Sequence, residues 1–182
     1  WVVYRADAEI GDKLDLYSVP INVFVIEPNP LSVGMDDSGD VFIYEITADS
    51  QGVVVIADAW TPGIKELFAV NMTGTWGVRL NPDLAPFGDV EFFKLLKNSQ
   101  GVVYLADQDE RDVFNLYVVH ILGGEPLQLN PDLVEGGNVQ PGFIITPDDK
   151  GVVYIADQDL DDVKELFITY DYQKLYLPMV TR

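Results

Sequence analysis

Residues 101–120 read GVVYLADQDERDVFNLYVVH, and almost the same stretch returns at residues 151–170 as GVVYIADQDLDDVKELFITY. The two stretches share 11 of 20 residues, and most of the differences are conservative. Related stretches occupy residues 52–70 and 1–19, so the four copies begin 51, 49 and 50 residues apart. Self-similarity at such a period indicates a protein built by stacking copies of one structural unit.

A second landmark follows each copy and supports the same period. The sequence LNPDL occurs at residues 80–84 and again at residues 129–133, and EPNPL takes the equivalent place at residues 27–31. We therefore divide a single expected domain, residues 1–182, into four repeats: 1–51, 52–100, 101–150 and 151–182.

Each repeat carries the pattern of several short β-strands. Apolar residues alternate over four to seven positions, are rich in Val, Ile, Tyr and Phe, and are interrupted by Gly, Pro, Asn and Asp. In the blade of the third repeat we expect four strands, of which the first lies just before residue 101: Val90–Leu96, Val102–Ala106, Leu116–His120 and Leu127–Leu129. A four-stranded antiparallel meander has two apolar faces, which neighbouring units cover by stacking around an axis. The sequence thus predicts an all-β protein, a β-propeller of four blades.

The sequence starts at an unusual point of the blade. If strands are lettered A (innermost) to D (outermost), the chain begins at strand B of the first blade and ends near Leu177, at strand D of the fourth. This predicts fifteen strands, with strand A of the first blade absent. Unpaired backbone groups along Val2–Ala6 would each cost about 1–3 kcal/mol if buried. We expect this edge to be completed by upstream sequence, by a strand from another chain, or by further blades.

The repeat resembles a known family. The pattern VVY-x-AD-xD, a short acidic loop and then EL[YF]-x-V is similar to the TolB-type (WD-like) β-propeller repeat. The turn at residues 146–151, TPDDKG, is similar to that family's Ser-Pro-Asp-Gly-Lys turn between strands A and B. The resemblance covers essentially the whole chain and implies a propeller fold. It leaves the function open, because such repeats occur in periplasmic translocation proteins, in secreted surface proteins and as accessory domains of peptidases.

Charge and composition exclude several classes of partner and cofactor. Thirty acidic and eleven basic residues give a net charge of -19, which repels nucleic acid and anionic lipid. The absence of cysteine excludes disulfides, thiolate catalysis, zinc fingers and iron–sulfur clusters. No apolar run approaches the roughly 20 residues that a membrane-spanning helix needs, and no signal-peptide pattern is found.

Catalytic residues are scarce, so we expect no enzyme and no catalytic site. His120 is the only histidine, and it lies on a predicted strand where the fourth repeat has Tyr170. No GxSxG motif occurs, and the many carboxylates lie at repeated loop positions rather than in unlike environments. We also expect no cofactor.

Two acidic loops leave a metal site open. Asp157, Asp159 and Asp161, followed by Asp162, alternate like the first ligands of a calcium loop, and the third repeat has the similar set Asp107, Asp109 and Asp112. The Gly and Glu positions of an EF-hand are missing. We favour a solvated acidic hairpin over a calcium site.

Aromatic residues divide into a repeated and an unrepeated set. Tyr4, Tyr104 and Tyr154 recur on strand B, and Tyr17, Phe68, Tyr117 and Phe167 recur on strand C, which indicates packing between blades. Trp60 and Trp76 are not repeated. We favour core or rim packing for these two, and the alternative is an exposed anchor for a partner.

These observations favour a non-enzymatic β-propeller that binds proteins or assembles, through a protein partner or through self-association, with strand addition at Val2–Ala6 as one route. The alternatives are an accessory propeller of a larger secreted hydrolase and a calcium-binding surface protein. We expect an extracellular, periplasmic or cell-surface location in a bacterium. The grounds are the family resemblance, the lack of cysteine, a chain that opens on Trp1 rather than Met, and the segment Lys174–Val180, which looks like the end of secreted bacterial surface proteins.

Overall fold

The computed structural model describes residues 1–7, 13–21, 24, 27–32 and 39–170. These residues form fourteen β-strands and no helix. The strands are β1 (Val2–Ala6), β2 (Asp15–Val19), β3 (Asn29–Pro30), β4 (Val41–Ile46), β5 (Gly52–Ala57), β6 (Glu66–Asn71), β7 (Gly77–Arg79), β8 (Val90–Leu95), β9 (Gly101–Ala106), β10 (Asn115–His120), β11 (Leu127–Gln128), β12 (Ile144–Ile145), β13 (Gly151–Ala156) and β14 (Glu165–Tyr170).

The strands form four antiparallel sheets, each in chain order, and these are the predicted blades. Blade 1 is β1-β2-β3, blade 2 is β4-β5-β6-β7, blade 3 is β8-β9-β10-β11, and blade 4 is β12-β13-β14. The third-repeat strands agree with the prediction to within one residue at each end. Strand A of blade 1 is absent from the described part, as predicted. The fifteenth strand, near Leu177, and the segment Lys174–Val180 lie outside the described residues.

The turn from strand A to strand B has the same backbone conformation in three blades although its sequence differs between them. The fourth residue after each strand A end adopts a left-handed conformation, with φ of 58° at Ser50, 58° at Ser99 and 56° at Asp149. The family's Ser-Pro-Asp-Gly-Lys turn has Gly at this position, where positive φ is free of strain. In the first of these turns, Thr47 Oγ1 accepts a hydrogen bond from the Gly52 amide (3.0 Å), which closes the turn without a glycine at the left-handed position.

Alternate side chains of each blade point to opposite sides, so every blade has two apolar faces. We call the face that a blade turns toward the next blade its forward face and the other its backward face. On blade 3, the forward face is Val103, Leu105, Leu116 and Val118, and the backward face is Val102, Tyr104, Tyr117 and Val119.

Three hydrophobic clusters join successive blades. The forward face of blade 2 packs on the backward face of blade 3, where Tyr104 stacks on Tyr117 with ring centroids 5.3 Å apart. The forward face of blade 3 packs in the same way on blade 4, and that of blade 1 on blade 2. The stacked-blade prediction is therefore correct for these three contacts, and burial of each large apolar side chain contributes about 1.5–3 kcal/mol.

In the part of the chain that the structure describes, we find no helix with the length and apolar character needed to cross a membrane.

Candidate interaction surfaces

A buried aspartate follows strand B in three blades, and in blades 2 and 3 it holds two loops together. The Asp107 carboxylate accepts hydrogen bonds from two backbone amides, that of Asp89 before strand A and that of Asp112 (2.9 Å) in the loop before strand C. Asp58 makes the equivalent contacts with the amides of Asp40 and of Gly63 (3.1 Å). A carboxylate used in this way is a structural hydrogen-bond acceptor that connects strand A to the loop between strands B and C.

Hydrogen bonds hold the acidic loop of the third repeat in place. Both oxygens of Asp107 accept backbone amides, and Asp109 accepts a hydrogen bond from the Tyr117 hydroxyl (2.7 Å). Burial and this contact with Asp109 raise the pKa of the Tyr117 phenol well above its ordinary value. Asp112 is exposed. The choice between an acidic hairpin and a calcium loop at these residues stays a prediction.

The fourth repeat is different, because its loop brings three carboxylates close together. Oxygens of Asp157, Asp161 and Asp162 lie within 4.8 Å of one another, and Asp159 is not in this group. The alternation in the sequence singled out Asp157, Asp159 and Asp161, followed by Asp162, and the turn at residues 160–163 brings Asp161 and Asp162, but not Asp159, close to Asp157. Asp157 already accepts a hydrogen bond from the Asn138 amide (2.6 Å). Three hard oxygen donors at this distance could hold a calcium ion.

His120 lies at the end of β10, half-buried, and its Nδ1 accepts a hydrogen bond from the Leu122 amide (3.1 Å). It lines a cavity between blades 2 and 3 together with Asp49 and Ser99. Ser99 Oγ accepts a hydrogen bond from the Asp49 amide (3.0 Å). Both His120 and Ser99 thus accept hydrogen bonds from backbone amides of turns.

The two unrepeated tryptophans lie at the rim of a cavity of about 150 Å³ between blades 1 and 2. Both are exposed. Trp60 packs edge-on against Phe68, with ring centroids 5.2 Å apart, and the Arg79 guanidinium lies 5.4 Å from its ring. Arg79 in turn contacts the buried Glu66 (2.8 Å). These contacts favour the rim-packing interpretation for Trp60.

Strand β1 has a free edge, since within the described residues it pairs only with β2. In blade 2 the Thr47 amide donates to the Gly52 carbonyl, so alternate residues from Gly52 onward direct their backbone groups to strand A. The equivalent residues of β1 are Val3 and Arg5. The carbonyl of Val3 accepts a hydrogen bond from the Tyr44 hydroxyl (3.2 Å), a contact that the sequence did not predict.

The arginine at this edge also reaches blade 2. Arg5 Nη1 donates to the carbonyls of Val41 (2.9 Å) and Phe42 (2.7 Å), at the start of β4. The other repeats have an aliphatic residue at this position, so the sequence marks the arginine as unusual but does not identify the residues that it contacts.

The outer faces at the two ends of the blade series are apolar. The face of blade 4 is exposed, whereas on blade 1 Tyr17 is buried and Tyr4 and Val19 are half-buried. On blade 4, Leu166 is 71% and Ile168 is 51% exposed, and Ile155 beside them is exposed too. On blade 1, Val2 is 50% exposed. Sequence analysis missed these faces, although the fourth repeat has the same aliphatic pattern as the repeats whose faces are buried.

No family model matches the chain, and no curated protein matches it. Solved structures do match, at low sequence identity. TolB from Acinetobacter baumannii aligns with a TM-score of 0.54 and 11% identity over 93% of this chain, and putative TolB from Agrobacterium tumefaciens with a TM-score of 0.58 and 10% identity over 92%. A puromycin-hydrolyzing peptidase from Mycobacterium tuberculosis aligns with a TM-score of 0.58 and 8% identity over 92%.

This chain covers 37%, 57% and 27% of those three chains, respectively. The order of the sheets and these alignments define the fold as a TolB-like β-propeller. At such identities the comparisons speak for the fold alone.

Proposed function

We propose that this protein is a non-enzymatic propeller that binds proteins or assembles with them, and that the edge of β1 is one of its binding elements. The observation that carries the proposal is the three-stranded blade 1 beside the four-stranded blades 2 and 3. An open edge can accept an extended segment by β-strand addition, in which backbone hydrogen bonds supply affinity and side-chain pockets supply specificity.

The groups along this edge suit an incoming strand. Val3 and Arg5 direct backbone groups away from β2, and the Tyr44 hydroxyl holds the Val3 carbonyl until a backbone amide replaces it. An open edge of this kind is usually blocked in stable proteins, since it invites pairing with other chains. Among the described residues, the Tyr44 hydroxyl is bonded to a backbone group of this edge, and an added strand can displace it.

A peptide with the sequence of residues 40–47, DVFIYEIT, tests strand addition, because in blade 2 this segment pairs with strand B. Bound peptide should slow hydrogen exchange of the Val3 and Arg5 amides by about tenfold or more. The amides of Val2 and Tyr4, which face β2, serve as an internal reference.

Two methylated peptides provide the matched controls. N-methylation at the Ile43 and Glu45 positions removes the donors that face strand B and should abolish protection. N-methylation at Phe42 and Tyr44 alters the opposite edge and should preserve it. Equal binding of both methylated forms, or no protection at all, would refute strand addition.

The non-enzymatic part of the proposal is supported by the contacts of His120 and Ser99, which stabilise turns. Saturable turnover of a peptidase, esterase or glycosidase substrate by the pure protein would overturn it.

A periplasmic, extracellular or cell-surface location in a bacterium is supported by the resemblance to TolB-type repeats. A gene that encodes no secretion signal ahead of these residues would remove that support.

A second candidate is an accessory propeller of a larger secreted hydrolase, and the structural likeness to a peptidase favours it. The intact mass of the protein isolated from its natural source separates the two, because an accessory domain is part of a much longer chain.

A third candidate, a calcium-binding surface protein, is favoured by the carboxylates of Asp157, Asp161 and Asp162. Isothermal titration with calcium, with Asp161→Asn as the variant, tests it directly.

A further inference from the structure

The exposed forward face of blade 4 has the same aliphatic composition as the buried forward faces of blades 2 and 3. Blade 3 uses Val103, Leu105, Leu116 and Val118, and the equivalent positions of blade 4 are Val153, Ile155, Leu166 and Ile168. In blade 2 they are Val54, Ile56, Leu67 and Ala69. All of the blade 2 and blade 3 residues lie in cores between blades, whereas Leu166 and Ile168 of blade 4 are more than half exposed.

The backward face of blade 1 repeats the faces that receive a preceding blade. Tyr4 stacks on Tyr17 with ring centroids 5.7 Å apart and an interplanar angle of 24°. The corresponding values are 5.3 Å and 26° for Tyr104 and Tyr117 in blade 3. Blade 1 therefore already has the aromatic pair in the geometry that, in blade 3, packs against the forward face of another blade.

We propose that the forward face of blade 4 binds the backward face of blade 1 of a second copy of this chain. The inference rests on the proposed assembly role and names the partner. The contacts of blade 2 with blade 3 and of blade 3 with blade 4 each join an aliphatic forward face to the backward face of the next blade, and the two faces at the ends of the series are one of each kind. Contact between two like faces would bring together surfaces that nowhere pack on each other in the described structure.

The symmetry of this contact determines the particle that results. The two faces differ, so the contact is head to tail, and such contacts close into rings or continue as filaments. Two copies of four blades, joined through both pairs of faces, give eight blades. Natural propellers have about four to eight blades, so a closed pair is within their range.

Net charge opposes this association and provides a signature of it. Each copy carries a charge of -19, whereas the facing positions on both ends are uncharged. The repulsion therefore comes from the surrounding surface, where salt screens it. Association through these faces should become tighter as the salt concentration rises, opposite to the behaviour of a contact between oppositely charged patches.

Sedimentation equilibrium of the 182-residue chain tests the proposal. The wild-type chain should have about twice its 20.3 kDa mass, or a multiple of that mass that rises with concentration. Leu166→Glu alters only the forward face and Val2→Glu only the backward face, and each should give a monomer. Leu122→Glu is the matched control, because Leu122 is 64% exposed and lies on neither face, so it should associate like the wild type. Far-UV circular dichroism establishes that each variant is folded.

Mixing the two monomeric variants gives the decisive result. Leu166→Glu retains an intact backward face and Val2→Glu an intact forward face, so an equimolar mixture should form a one-to-one dimer that neither forms alone. A wild-type chain that stays monomeric at all concentrations and salt levels overturns the proposal, as does a dimer that survives either substitution. Protection of the Val3 amide by the strand peptide in monomeric Leu166→Glu would show that the edge function stands even if face-to-face association fails.

Discussion

Removal of the Asp107 carboxylate should cost more stability than any other single change in the third-repeat loop. Asp107 is 3% exposed, and its two oxygens accept the backbone amides of Asp89 and Asp112. Asp107→Ala removes both acceptors and leaves two amides without their partner. Asp107→Asn keeps one acceptor and replaces the other with a donor that faces an amide.

The size of the effect follows from the two hydrogen bonds. A hydrogen bond to a charged group contributes about 1.5–3 kcal/mol, and both contacts are partly reached by water, so the lower end applies. Asp107→Ala should therefore lower the free energy of unfolding by about 3 kcal/mol, and Asp107→Asn by at least about half of that. A domain is stable by only about 5–15 kcal/mol, so the loss is readily measured.

Urea unfolding followed by far-UV circular dichroism is the assay. With a slope of about 1–3 kcal/mol per molar urea, the midpoint of Asp107→Ala should fall by roughly 1–3 M. Asp132→Ala is the control, because it removes the same charge from an exposed residue. Equal midpoints for Asp107→Ala and Asp132→Ala would refute the structural role of this carboxylate.

Three further predictions follow from single contacts. Ser50→Gly should raise the free energy of unfolding by about 0.5–1 kcal/mol, because Ser50 is exposed with φ of 58°. Ser99→Gly should raise it less, although φ is the same, because Ser99 Oγ accepts a hydrogen bond from the Asp49 amide. The midpoints of urea unfolding compare the two variants. The raised pKa of Tyr117 favours the neutral phenol in the folded state, so its contribution to stability is complete below about pH 10 and is lost above it. Tyr117→Phe should lessen that alkaline loss in unfolding curves measured at several pH values, and an unchanged loss would contradict the assignment. Arg79→Met leaves the buried Glu66 without its cation and should lower the free energy of unfolding by about 3 kcal/mol. Adding Glu66→Gln should restore part of this stability. A double variant that is no more stable than Arg79→Met would contradict the pairing.

Local pattern predicted most of the fold. Alternation of apolar residues depends only on the pleat of a strand, so the bounds of β8, β9, β10 and β11 could be predicted to within one residue. The period near 50 residues identified the blades and predicted that β1 has no strand A beside it in the described residues, since each repeat is compared only with its neighbours in the same sequence.

The role of each acidic loop needed the tertiary structure. Asp107 and Asp157 occupy the same place in the repeat, yet the first binds two amides and the second lies near Asp161 and Asp162. That difference depends on the backbone path of residues 107–112 and 157–162, which the positions of the carboxylates in the sequence do not determine.

The sequence by itself determined that the chain is all-β and that it has four repeats, because these features follow from residue spacing along one strand or one repeat. Only the tertiary structure decided which apolar residues remain exposed. Leu116 and Leu166 are equivalent in sequence, but one is covered by blade 4 and the other has no following blade in the described structure. Burial depends on what lies across the face of a sheet, and that neighbour comes from a distant part of the chain or from another molecule.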